Sequence, residues 1–300
     1  MDQSLSFNRA LVEKYDRPGP RYTSYPTAPQ FHQAFAMDDY HAAAQASNQA
    51  AVPKALSLYI HIPFCKSLCY YCACNKIITQ KTHRAVEYLN YLKREIAMQA
   101  ALFDRTRTLR QLHLGGGTPT YLTREQLAEL MDCLHQAFNL DDSDEHEFSI
   151  EVDPRTISTE QIEHLRQLGF NRLSFGVQDF DPDVQAAVNR QQSEEQIYAL
   201  VAAAREAKFK SVSVDLIYGL PLQTVASFDV TLSKIIALRE RVTENLKAAR
   251  HKLADVEDAI KVKTREVARA TDDYVHEHPW KAIGTATAVG LVVGLLIGRR

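Results

Sequence analysis

Four of the five cysteines in this 300-residue chain lie within ten residues, and they constrain its fold and chemistry more than any other feature. Cys65, Cys69, Cys72 and Cys74 have the spacing C-x3-C-x2-C-x-C, whereas the fifth cysteine, Cys133, stands alone. Thiols this close together either form disulfides or bind a metal ion or an iron–sulfur cluster. The window directly follows an apolar run, so we expect the thiols at the end of a strand.

The first residues of the chain argue against disulfides. They lack the basic segment and apolar core of a secretory signal, which predicts a cytoplasmic chain. Disulfides are rare in that reducing compartment, so metal or cluster binding is favoured. Zinc prefers ligands in two pairs, and the sequence has no second cysteine pair, although His61, His83 and His113 can complete a site. Three thiolates on a cubane cluster would instead leave one iron open to a non-protein ligand.

The overall composition is that of an ordinary soluble protein, with 45% hydrophobic and 24% charged residues. The formal net charge of −2 gives no basic field, so there is no direct signal for nucleic-acid binding. The carboxyl end differs, because the 17 residues 282–298 carry no charge. This length is at the short limit for a transmembrane helix, which we expect there.

From residue 56 onward, apolar runs typical of strands alternate with helical patterns. The runs cover residues 56–64, 109–114, 148–152, 172–177 and 211–218, and the helical patterns about 80–103, 123–138, 158–168, 182–207 and 224–238. Thr123 and Gln126 form a capping-box pattern, and Gly169 is a C-cap glycine. Such alternation predicts an α/β fold with a parallel sheet. We expect an incomplete (β/α) barrel of about five βα units, with a doubly wound open sheet as the alternative.

Polar or glycine residues follow each predicted strand. In β/α barrels the carboxyl ends of the strands build the active site, so we expect these residues on one face. Glycines 115–117 leave backbone N–H groups accessible to a ligand, although glycine before proline is also common in turns. Glu151 and Asp215 are candidate binding residues or simply satisfied strand-end carboxylates. Arg190 is by residue type more often a surface arginine.

Residues 239–278 contain no glycine or proline and have balanced charge. Apolar residues recur at spacings of three and four over 246–274, which predicts a self-associating coiled coil, or alternatively one amphipathic helix on a domain. The predicted organisation is an amino-terminal arm (1–55), a partial barrel (56–238), this coiled-coil-like helix (239–278) and a membrane anchor (279–300).

Several segments resemble the HemN-type oxygen-independent coproporphyrinogen III oxidases, which are radical S-adenosylmethionine (SAM) enzymes. They are the cysteine window and residues 19–27 (GPRYTSYPT), 57–65 (SLYIHIPFC), 115–121 (GGGTPTY), 150–154 (IEVDP) and 215–221 (DLIYGLP). The resemblance extends over about residues 1–238. A related haem-chaperone branch usually lacks the GPRYTSYPT arm and the fourth cysteine, so Cys74 favours the oxidase.

The resemblance implies a radical SAM barrel in which Cys65, Cys69 and Cys72 ligate a [4Fe–4S] cluster. Two SAM molecules are used per turnover cycle, and propionates of coproporphyrinogen III become vinyl groups of protoporphyrinogen IX, with an electron donor and acceptor as further partners. Tyr59, His61 and Cys74 are the implied catalytic candidates. The implied SAM contacts are Tyr59, Tyr71, Gly116, Gly117, Thr118, Glu151, Gln178, Arg190 and Asp215.

The resemblance ends near Leu238, whereas full-length HemN proteins continue with a sixth strand and a domain that covers the substrate. This difference predicts low or no oxidase activity, because an open barrel exposes its edge. Two alternatives follow from it. One is a tail-anchored interaction protein that carries an inactive barrel fragment, and the other is an artefactual fusion of two reading frames.

Residues 239–300 resemble the ElaB/YqjD group of small helical proteins, which have an inner-membrane anchor and associate with ribosomes. Gly290, Gly294 and Gly298 fall on one helix face, a spacing that permits close helix pairing. The resemblance implies a cytoplasmic chain tethered to the inner membrane, self-association through 246–274 and contact with the ribosome.

Overall fold

The computed structural model describes residues 8–15, 30–143, 145–241 and 243–244. The arm segment 19–27, the predicted coiled-coil seam 246–274 and the predicted anchor 279–300 lie outside the described residues. In the amino-terminal region the structure contains helices α1 (Arg9–Tyr15) and α2 (Met37–Asn48). The second of these agrees with an alanine-rich pattern in the sequence.

The sheet begins at residue 56, where the sequence predicts it. In chain order the strands are β1 (Leu56–Ile62), β2 (Phe64–Cys65), β3 (Ile77–Ile78), β4 (Thr108–Gly116), β5 (Asn139–Leu140), β6 (Glu147–Val152), β7 (Arg172–Gln178) and β8 (Ser211–Leu216). The first predicted run is divided at Pro63, which has no backbone N–H to donate to a ladder. The residues after this proline form a separate two-stranded ladder of β2 with β3.

The long strands confirm the barrel rather than the doubly wound sheet. Their spatial order is β1-β4-β6-β7-β8, which is also their order along the chain, and every pairing is parallel. A doubly wound sheet would reverse direction at a switch point. Within the described residues, β1 and β8 each have a neighbour on one side only, so the barrel is incomplete.

Helices follow the strands. They are α3 (His83–Ala100), α4 (Arg124–Ala137), α5 (Thr159–Gln167), α6 (Pro182–Ala187), α7 (Glu194–Glu206) and α8 (225–241). The capping box before α4 is confirmed, because Thr123 Oγ1 accepts from Gln126 N and Gln126 Oε1 accepts from Thr123 N. Gly169 after α5 has a φ of +97°, as a C-cap glycine requires.

The single helix predicted over 182–207 is wrong, because the structure contains two helices there. Asn189 has a φ of +55° and ends the first helical segment, since asparagine tolerates the left-handed region better than most residues. Ser193 then caps α7 by accepting a hydrogen bond from Gln196 N. The break places Arg190 in the loop between the two helices.

The strands alternate sharply between apolar and polar residues. On the outer face Ile60, Leu112, Ile150 and Phe175 are buried with the apolar sides of the helices in one core. The inner face carries polar residues such as Glu151 because it faces a cavity rather than a second layer of helices. This arrangement explains an alternation that is unusual for parallel strands, which are usually apolar on both faces.

Within the same described ranges, no helix has the length and apolar character needed to cross a membrane.

Candidate active site

The cysteine window forms a loop that is held from two sides. Cys65 is the last residue of β2, and the loop returns to the sheet through β3. Tyr70 N donates to Val188 O at 3.1 Å, and Asn189 Nδ2 donates to Leu68 O at 2.7 Å. Asn189, whose backbone is in the left-handed region between α6 and α7, therefore holds the cysteine loop by a side-chain hydrogen bond.

Lys76 closes the carboxyl side of this loop. Its ammonium group donates to Cys72 O at 2.8 Å and to Cys74 O at 3.3 Å. Cys65 Sγ lies 3.4 Å from Thr118 Oγ1, which connects the loop to the segment after β4. Partial burial raises the pKa of the Cys65 thiol, and the nearby Cys72 and Cys69 add to this shift.

The glycine-rich end of β4 passes close to the first cysteine. A Cβ on Gly117 would lie 2.8 Å from the carbonyl group of Pro63 and 2.9 Å from Cys65 Sγ. Gly116 has a φ of +117°, which disfavours any residue with a side chain. These glycines are therefore needed for backbone N–H groups to approach the cysteine loop.

Most of the predicted site residues line one open cavity at the carboxyl ends of the strands. Those that line it are Cys65, Cys69, Tyr71, Cys72, Cys74, Gly116, Gly117, Thr118, Glu151, Gln178, Arg190 and Asp215. Glu151 Oε2 accepts from Gly116 N at 3.2 Å, and Asp215 Oδ2 accepts from Ser174 Oγ at 2.8 Å. Gln178 has a φ of +70°, a strained conformation of the kind found at functional sites.

Tyr59 and His61, two of the predicted catalytic residues, do not line this cavity. They lie beside it on the inner face of β1, where the Tyr59 hydroxyl is 3.0 Å from His61 Nδ1. His61 Nε2 is 2.8 Å from Asn75 O, and the ring of Tyr59 stacks on that of His113. Both rings lie close to the glycines at the end of β4, so in this structure they support the cavity wall.

Arg190 is buried at the bottom of the cavity, not on the surface as its residue type suggests. Nη1 lies 3.2 Å from Asp153 Oδ2 and 3.5 Å from Cys69 Sγ, and Nη2 donates to Gly176 O at 2.6 Å. Its Nε is buried with no hydrogen-bond partner among the described residues. The side chain also lines the cavity, so its positive charge suits a ligand that carries a negative group.

Two further residues that were not predicted as site residues lie here, Asp153 and Arg155. Arg155 donates from Nη2 to Asp153 Oδ2 at 2.7 Å and to Cys69 Sγ at 3.6 Å. Burial alone would raise the pKa of Asp153, but the hydrogen bonds from Arg155 and the charge of Arg190 outweigh it and lower the pKa. The acidic residue stands out in the sequence directly after β6, whereas nothing in the sequence shows that the arginine turns back toward the cysteine loop.

The residues of this cavity fit an iron–sulfur cluster with a bound amino acid derivative. Thiolates are the protein ligands of such clusters, and three of them come from one clamped loop. In the part of the chain that the structure describes, no three His, Cys, Asp or Glu side chains converge as ligands of a single metal ion do. The glycines let a ligand approach the backbone closely, the positive charge of Arg190 suits a carboxylate, and Glu151 and Asp215 suit hydroxyl or amino groups.

An open β/α barrel with a cysteine loop at the carboxyl ends of its strands defines a class of iron–sulfur protein. Residues 59–235, more than half of the chain, match the model of the Radical SAM superfamily. The chain belongs to this superfamily. Its cofactors are therefore those of the superfamily, a [4Fe–4S] cluster and S-adenosylmethionine.

Among curated proteins, the chain is similar to oxygen-independent coproporphyrinogen III oxidases. It is 48% identical over 239 residues to that of Pseudomonas aeruginosa, covering 80% of this chain and 52% of the relative. It is 50% identical over 239 residues to that of Escherichia coli, covering 79% and 50%. The chain thus spans about half the length of the curated relatives that it matches.

A solved structure gives the same result. Coproporphyrinogen III oxidase (HemN) from Escherichia coli, described as a radical SAM enzyme, superposes with a TM-score of 0.69 at 48% identity. The match covers 79% of this chain and 51% of that one. Residues 271–300 separately match the model of the DUF883 C-terminal glycine zipper region, in agreement with the spacing of Gly290, Gly294 and Gly298.

Proposed function

We propose that this chain acts on coproporphyrinogen III, converting propionate side chains to vinyl groups by oxidative decarboxylation. The proposal rests on one observation above all, the collection of three closely spaced thiols, the glycine-rich strand end and buried Arg190 around a single cavity. The identity of nearly 50% to proteins named for this reaction supports the choice of substrate. The relative's solved structure supports the placement of the site on the barrel.

In this proposal Cys65, Cys69 and Cys72 hold the cluster, and Gly116 and Gly117 let SAM approach the end of β4 because no side chain obstructs the backbone there. When bound, these cofactors supply the one-electron chemistry that removes a hydrogen atom from the propionate. An external electron donor and an electron acceptor complete the reaction. Two SAM molecules per turnover cycle, one for each propionate, follow from the same resemblance.

The remaining site residues position the bound groups. Glu151 on β6 and Asp215 on β8 both line the cavity, with β7 between them, and their carboxylates can accept from hydroxyl and amino groups of SAM. Arg190 lines the same cavity and places a positive charge there. Tyr59 and His61 pack against the glycines at the end of β4, and Cys74 is exposed and lines the cavity. The protein thereby orients its cofactors before substrate binds.

Anaerobic reconstitution of the full chain with iron and sulfide tests this function. We expect a brown cluster-bearing protein that cleaves SAM when a reductant is added. We also expect turnover of coproporphyrinogen III well below that of a full-length relative, because β8 has an open edge within the described residues. Absence of SAM cleavage would refute the proposed site, and turnover equal to that of the relative would refute the expected low rate.

We further propose that the carboxyl-terminal segment tethers the chain to the cytoplasmic face of the inner membrane. The support is the uncharged stretch 282–298 between basic residues and the match of 271–300 to a glycine zipper region. This candidate function of the tail accompanies the catalytic one. Self-association through 246–274 and contact with the ribosome stay predictions.

Membrane fractionation of the full chain tests the tether. We expect the chain in the membrane fraction, released by detergent, and Val293→Asp in the soluble fraction. An aspartate at the centre of a spanning helix costs about 2.5–3.5 kcal/mol on the insertion scale. Val293→Ala is the matched control and should behave as the unsubstituted chain. Recovery of the unsubstituted chain in the soluble fraction without detergent would contradict the proposal.

A further inference from the structure

The thiol of Cys69 is surrounded by two arginines. Its Sγ lies 3.5 Å from Arg190 Nη1 and 3.6 Å from Arg155 Nη2. Cys69 is only 8% exposed, so water screens these contacts little. Of the three thiols that the proposed function assigns to the cluster, this one has two charged donors in the described structure.

Arg155 is held in place by a neighbouring carboxylate. Asp153 Oδ1 accepts from the backbone N–H of Arg155 at 3.1 Å and from its Nε at 3.0 Å. Asp153 Oδ2 accepts from Nη2 at 2.7 Å. The guanidinium is thus bound in the forked geometry that suits carboxylates, and the remaining direction of Nη2 points to the sulfur.

Two guanidinium groups share the single carboxylate of Asp153, since Arg190 Nη1 also lies 3.2 Å from Oδ2. One positive charge is left beside the sulfur. This positive charge lies directly beside the sulfur that the proposed function assigns to the cluster.

We propose that Arg155 is a positioning residue for the cluster ligand Cys69 and that it raises the reduction potential of the cluster. The guanidinium donates an N–H group to the sulfur and places a positive charge beside it. Hydrogen bonds to the sulfurs and the net charge both set cluster potentials, and positive charge favours the reduced form. The inference deepens the proposed function, because it requires a cluster at this loop.

Arg155 differs from Arg190 in its hydrogen-bond partners. Arg190 donates to Gly176 O as well as contacting Asp153 and Cys69, whereas Arg155 is held by its hydrogen bonds to Asp153 and donates to Cys69. Arg155 also lines the cavity, but its contact with Cys69 Sγ is the observation that carries this inference. Partners of this kind behind a metal ligand typically change metal affinity or activity by about 10–100-fold when they are replaced.

The test is a redox titration of the reconstituted full chain, followed by the electron paramagnetic resonance signal of the reduced cluster. We expect Arg155→Met to shift the midpoint potential to a more negative value and to lose the cluster about tenfold faster to a chelator. Arg155→Lys keeps the charge but not the fork, and we expect a smaller shift in the same direction. Arg172→Gln is the control, because that arginine pairs with Glu147 away from the cysteines.

The possible results separate this inference from the proposed function. An unsubstituted chain that assembles no cluster overturns both. A cluster whose potential is the same in the unsubstituted chain and in the Arg155→Met and Arg155→Lys variants overturns only the role of Arg155, even when thermal stability falls. If Arg155→Met does not fold, the shift in Arg155→Lys decides, and its absence overturns the proposal.

Discussion

Replacing Cys69 with serine is expected to abolish assembly of the iron–sulfur cluster in the full chain. The proposed site has three ligand thiols, and a hydroxyl group is a poor substitute because it ionises far less readily than a thiol. Two remaining thiolates would leave two irons of a cubane without protein ligands. Iron and sulfide content and the brown absorption after anaerobic reconstitution measure the effect.

The other cysteines provide the controls. Cys133→Ser should keep the full iron content, because that thiol is on α4, far along the chain from the loop. Cys74→Ser tests whether the loop supplies three cluster ligands or four. We expect it to keep its cluster, since the spacing assigns only three ligands. Full cluster content in Cys69→Ser, or loss of the cluster in Cys133→Ser, would contradict the ligand assignment.

The second large effect is expected from Asp153→Asn, which should destabilise the folded chain by about 3–5 kcal/mol, the range for removing one partner of a buried ion pair. Asp153 and Arg190 are 8% and 7% exposed, and the change would leave Arg155 and Arg190 without their shared carboxylate. Urea denaturation of the cluster-free chain at neutral pH measures it.

Glu147→Gln is the matched control for this prediction. It also removes a carboxylate paired with an arginine, but the side chains of Glu147 and Arg172 are 46% and 43% exposed. Exposed pairs contribute about 0–1 kcal/mol, so the control should lose little stability. If the two variants lose equal free energy of unfolding, the burial of the Asp153 ion pair does not contribute to its effect on stability.

The pH dependence gives an independent check on Asp153. A carboxylate whose pKa is lowered in the folded state stabilises the fold above its unfolded pKa, about 3.9. The lowered pKa of Asp153 therefore predicts a contribution that is present at neutral pH and lost as the pH falls through the folded pKa. The difference in stability between the unsubstituted chain and Asp153→Asn should narrow in acid, and a constant difference would contradict this assignment.

Much of the fold could be predicted from the sequence, because strands and helices leave local periodic patterns. The alternation of Leu56, Leu58 and Ile60 with polar residues marks β1, and the capping box marks the start of α4. The sequence does not predict the helix break at Asn189. No proline or glycine stands there, and an asparagine in the left-handed region leaves only a weak signal.

The sequence by itself determined the cysteine loop and the glycine-rich strand end. Both are short continuous segments, so the spacing of their residues along the chain already shows which ligands they can bind. Only the tertiary structure decided that Arg190 and Arg155 meet at Cys69, across separations of 121 and 86 residues. It also decided that Tyr59 and His61 lie beside the cavity and not in it. Contacts of this kind depend on how the strands and helices pack against one another, and residue spacing along the chain carries no record of that packing.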